Sequence, residues 1–139
     1  MKRNLISSLI IFVFALAITL KTYAQDPTTN NKMVVPDEYK SKVNPVKGDE
    51  SLKMIGLRNF NRHCVSCHGK TGIGNGIMAK NLKNSPGDLT SAEFQNYNDG
   101  EIYYLSFVGI NERPDFMKLI PNEEDKWAIV NYVRKLKAE

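Results

Sequence analysis

Cys64-Val65-Ser66-Cys67-His68 is the stretch on which the reading of this 139-residue chain turns. It holds both cysteines of the chain and one of its two histidines. Several chemistries use such residues. A thioredoxin-like dithiol needs a strand–helix–strand setting, and no segment here shows the sustained alternation of a strand. A structural zinc site needs four ligands, and outside the motif only His63 remains as a further histidine. A disulfide across two intervening residues leaves His68 without a role.

A fourth reading accounts for all three residues at once. Cys-x-x-Cys-His is the attachment signal of c-type haem. Two thiols three residues apart on a helical turn lie on one side and can add to the two vinyl groups. The next residue is then held under the iron. Cys64 and Cys67 are therefore the expected covalent attachment points of one haem c, and His68 the proximal iron ligand. A covalent macrocycle also answers a problem of size. The candidate domain, residues 51–139, is small, and a chain of roughly 60–90 residues buries only about 60 % of its unfolded surface. An apolar cofactor would supply the missing centre.

Outward from the motif, the pattern is helical. Asp49 or Ser51 can cap a helix running to about Cys64, with Leu52, Ile55, Gly56 and Phe60 at three- and four-residue steps. Residues 69–92 carry Gly69, Gly72, Gly74, Gly76, Pro86 and Gly87, which predicts a long loop with at most a helical turn at 77–82. Asp99 is the expected cap of a second helix, from Gly100 to about Val108, which Gly109 can end. Residues 110–121 read as loop, with Pro114 and Pro121. Asn122 caps a third helix with Glu123, Glu124 and Asp125 in its first turn and Arg134, Lys135 and Lys137 in its last, as the macrodipole favours. Trp127, Val130, Tyr132 and Val133 are expected to face inward. The expected fold is all-α: three main helices and long loops around one covalent haem.

These residues resemble the class I monohaem cytochrome c family over about residues 50–138. Gly56-x-x-x-Phe60-x-x-x-Cys64 is similar to the family's first helix, where a glycine and an aromatic meet the last helix. Trp127-Ala-Ile-Val-Asn-Tyr132-Val resembles that last helix, with Tyr132 as the aromatic partner. Gly69 and Lys70 to Gly76 look like the loop that follows the haem motif. The resemblance implies an electron carrier rather than an enzyme, working between redox protein partners that include, in the widest case, a membrane respiratory complex.

One departure bears on the iron. The family's sixth ligand is usually a methionine followed by proline, shortly before the last helix. Here that slot reads Arg113-Pro114, and the nearest methionine is Met117. Met117 is the candidate sixth ligand and Met78 a lesser one. A site left open would instead suit a five-coordinate, peroxidase-like or gas-sensing protein. His63 starts on the attachment side and is expected to be a packing or exposed residue.

Upstream, Lys2 and Arg3 precede an uncharged run from Leu5 to Leu20, and Thr22-Tyr23-Ala24 offers small residues for cleavage. Residues 1–24 therefore read as a signal peptide of a protein exported to the periplasm or beyond. Sixteen helical residues rise about 24 Å, short of a bilayer core of about 30 Å. No stable membrane span is expected after cleavage; a retained signal would leave the protein membrane-associated. The signal holds three of the 19 Lys+Arg and none of the 15 Asp+Glu, so the net charge of +4 becomes +1 without it. A chain so near neutrality gives no electrostatic reason to expect nucleic acid as a partner. Residues 25–50 read as a leader: a polar linker, or a strap packed on the domain through Val34, Val35 and Tyr39.

Overall fold

In a computed structural model of the full chain, residues 33–109 and 114–137 are described. The expected signal peptide, the first part of the leader and Arg113 lie outside them. Among the described residues there are seven α-helical segments and no strand. Three segments are long, as the sequence pattern requires. A 3-10 turn at Glu50–Leu52 leads into α2 (Lys53–His63), with the Asp49 carboxylate accepting from the Ser51 amide. α5 (Asp99–Tyr103) continues as a wider π-turn over Tyr104–Val108. α7 (Glu123–Arg134) is capped by Asn122, whose side chain accepts from the Glu124 amide. The others are single turns: α1 (Asp37–Lys40), α3 (Val65–His68), α4 (Ala92–Gln95) and α6 (Phe116–Leu119).

Two expectations from the sequence need correction. Asn98, not Asp99, caps α5. Its side chain accepts from the Glu101 amide while the Glu101 carboxylate accepts from the Asn98 amide, a reciprocal capping box. Asp99 is buried instead, accepting from Asn44 and Arg134. The stretch before the last helix is also not all loop. Asp115 accepts from the Lys118 amide and starts α6, so Met117 sits on a helical turn.

The core lies where α2 crosses α7. Gly56 is the contact point: a Cβ there would stand 2.2 Å from the Ala128 carbonyl oxygen, so only glycine lets the backbones meet. Beside it the rings of Phe60 and Tyr132 lie 5.0 Å apart, a geometry that adds about 0.5–1.5 kcal/mol beyond area burial. Trp127, Ile129 and Val130 are fully buried on α7, with Ile102 and Tyr103 from α5 against them.

Candidate functional site

The motif forms one tight turn. Cys64 ends α2 and begins α3, and its carbonyl accepts from the amides of Cys67 (3.1 Å) and His68 (2.9 Å). The two cysteines are thus one helical turn apart, both half-buried thiols. His68 is buried, with its Nδ1 enclosed. The glycine-rich stretch then folds back onto the motif. Gly74 donates to the His68 carbonyl (2.9 Å), Gly76 to Cys67 (3.0 Å) and Met78 to Ser66 (2.8 Å). These bonds satisfy the carbonyls at the end of so short a helix and fix the turn that carries the three functional side chains.

In the loop that follows the motif the chain leaves large apolar side chains in the open: Ile73, Ile77 (81 % exposed), Met78 and Leu82. Val108, at the end of the π-turn, and Met117 and Leu119, on α6, are exposed as well. This donor set and its apolar surroundings fit haem c: two thiols for thioether bonds, one imidazole for iron, and hydrophobic side chains for a flat apolar ring. Cys64, Cys67 and His68 would hold it.

The other candidate residues fall as follows. Met117 is 39 % exposed on α6, its sulfur 3.8 Å from the Tyr103 hydroxyl. Met78 is exposed, with its sulfur 3.9 Å from the Asn81 amide nitrogen. His63 packs edge-on against Phe116, ring centroids 6.5 Å apart, so the turn bearing Met117 rests on the end of α2. Burial, and secondarily the positive charge of Arg62, holds the His63 imidazole below its usual value.

Tyr103 is a residue that sequence reasoning passed over. Its hydroxyl donates to Glu123 (2.9 Å), which also accepts from the deeply buried ammonium of Lys126 (3.0 Å). Burial, reinforced by the Glu123 hydrogen bond, pushes the Tyr103 hydroxyl well above the ordinary tyrosine range. Burial opposes ionisation of Glu123, but the hydrogen bonds from Lys126 and Tyr103 outweigh it and hold this carboxyl below its usual value. Apolar spacing offered a signal for Tyr103, since Tyr103 and Phe107 stand four apart with their rings 5.1 Å from each other. Nothing local to the sequence pairs Tyr103 with Glu123.

Comparison with known families agrees with this geometry. The family model for cytochrome c matches residues 54–137. The chain belongs to the cytochrome c family, and its cofactor is covalently bound haem c. No curated protein matches the sequence. Among the described residues no helix is long and apolar enough to cross a membrane.

Proposed function

We propose that this protein is an exported electron carrier that passes single electrons between redox proteins through one haem c. The observation that carries the reading is the motif turn itself, with two thiols one helical turn apart, His68 buried directly after them, and the glycine-rich loop hydrogen-bonded back onto the turn. The haem supplies a metal centre that gains and loses one electron. The chain's part is to hold and shield it. Cys64 and Cys67 would fix its position covalently, and His68, held by the backbone bonds of α3, would supply an imidazole ligand from a turn already set in place. Met117 is the proposed sixth ligand; a thioether favours the reduced metal and raises the potential.

The partner-facing surface follows from charge. Residues 62–87 contain Arg62, Lys70, Lys80 and Lys83 and no Asp or Glu, and all four cations are exposed. They are interleaved with the exposed Ile73, Ile77, Met78 and Leu82. This mixture suits a transient partner with an acidic rim, since local charge raises the encounter rate more than the affinity.

Absorption spectroscopy and redox titration of the matured, full-length protein test the reading. A low-spin spectrum with a methionine–Fe(III) charge-transfer band and one reversible one-electron wave is expected. A high-spin protein whose reduced form binds carbon monoxide rapidly would overturn it in favour of an open-site haem protein.

A further inference from the structure

The family match begins at residue 54, yet packing onto the helices begins at the strap, residues 33–48. Val34 is exposed, but Val35 is buried. The strap's backbone lies directly on α5: a Cβ at Gly100 would stand 2.1 Å from the Tyr39 carbonyl oxygen, and the Asn98 side chain donates to the Lys40 carbonyl (2.9 Å). Its far end is pinned by a buried polar network. The Asn44 amide donates to Asp99 (3.1 Å) and to Asn131 (2.8 Å), and Asn131 in turn donates to the Val46 carbonyl (2.7 Å). A plain connector needs no such latch.

Between these two anchors the strap sets two side chains on Tyr103. The Tyr39 ring stacks on it at 6.3 Å and 16°. The Lys42 ammonium stands 5.3 Å over the same ring and 5.9 Å from that of Trp127. Tyr103 is the residue whose hydroxyl lies between Glu123 (2.9 Å) and the sulfur of Met117 (3.8 Å). A phenol has one proton to give. A carboxylate is a far stronger acceptor than a thioether, so in this geometry the proton goes to Glu123 and the sulfur keeps its lone pairs. A cation over the ring draws on its electrons and makes the phenol a better donor still.

We infer that the strap is a positioning element for the sixth-ligand side of the haem: Tyr39 and Lys42 hold Tyr103 committed to Glu123, which leaves the Met117 thioether available to iron. This rests on Met117 being the sixth ligand. If the Tyr103 ring were released, α6 would lose its contact with the Tyr103 hydroxyl and drift, and the sulfur–iron bond would weaken.

The test uses matured holoprotein of the full chain, read by the methionine–Fe(III) band, the reduction potential and far-ultraviolet circular dichroism. Met117→Ala should abolish the band and lower the potential. Tyr39→Ala and Lys42→Gln should each weaken the band and move the potential down toward that of Met117→Ala, with helix content unchanged. Tyr39→Phe keeps the stacked ring and Lys42→Arg keeps the cation, so both should restore wild-type values; a purely packing role for the strap would not separate Arg from Gln at exposed Lys42. If Tyr39→Ala does not fold, the Lys42 pair decides alone. Wild-type band and potential in Tyr39→Ala and Lys42→Gln, alongside their loss in Met117→Ala, would overturn the strap's role while leaving the ligand assignment intact. A wild type without the band, or a Met117→Ala protein that keeps it, would overturn the ligand assignment and the inference with it.

Discussion

Where α2 crosses α7, the protein fills its own space: Gly56 touches the Ala128 carbonyl, Phe60 meets Tyr132, and Ile129 and Val130 are closed to solvent. Around the haem motif the chain does the reverse. Ile73, Ile77, Met78 and Leu82 follow the motif on an irregular, glycine-rich path held by backbone hydrogen bonds, and their side chains stand open. The contrast explains how so small a domain is stable. The greater part of its apolar content is matched side chain to side chain. The part beside the motif would be matched to a rigid, flat cofactor, which needs loops that can follow its outline rather than helices that interlock.

The largest effect should come from removing the cofactor's anchors. Cys64→Ala together with Cys67→Ala is expected to leave no haem-stained band on denaturing electrophoresis, and the recovered apoprotein should lose most of its far-ultraviolet helix signal. An apoprotein with full helicity and a cooperative melt would break the comparison, because the open half would then need no cofactor to fill it. A smaller, purely steric effect is expected on the closed half. Gly56→Ala places a methyl 2.2 Å from a carbonyl oxygen that cannot rotate away. Overpacking of this kind costs about 1–3 kcal/mol, and for a domain of this size each kcal/mol lowers Tm by about 4–8 °C. A thermal melt of the holoprotein should show that loss with the haem spectrum retained.

The smallest effect sharpens the boundary between the halves, where Glu123 joins α7 to Tyr103. Its carboxyl is held below the ordinary value of 4.5 in the folded state. The sign follows from linkage: the unfolded chain binds the proton more readily, so this contribution is complete above about pH 4.5 and fades as the pH falls below it. Glu123 is half-exposed, so solvent screening keeps the contribution modest. Glu123→Gln should flatten the acid side of the Tm–pH curve of the holoprotein and leave the neutral plateau slightly lowered. A curve parallel to the wild type would show that the Tyr103–Glu123–Lys126 group contributes nothing to the boundary.

Much of the helical half was legible in order along the chain. The apolar spacing of 52–60, the Asn122 cap and the charge bias of α7 are local features, and local features leave local signatures. The motif was legible for a different reason: covalent attachment requires its three residues close in sequence. Caps were less secure, because Asn98 and Asp99 are equally good capping residues and the choice went to the one with Glu three positions on. The α6 turn was hidden by Pro114 and Pro121 on either side of it.

By itself, the sequence determined the spans of the first and last long helices, the all-α class and the haem motif, since each depends on residues within a turn or two of one another; the glycine contact at residue 56 was legible only through the family resemblance. Only the tertiary structure decided what surrounds Tyr103. Tyr39 and Lys42 from the strap, Met117 from α6 and Glu123 from α7 belong to three separate segments, and their approach to Tyr103 depends on how the strap, α5, α6 and the start of α7 pack. A hydrogen bond between residues twenty apart, or a ring stack between residues sixty-four apart, leaves no periodicity in the chain; it exists only once burial has fixed which side chains share the space.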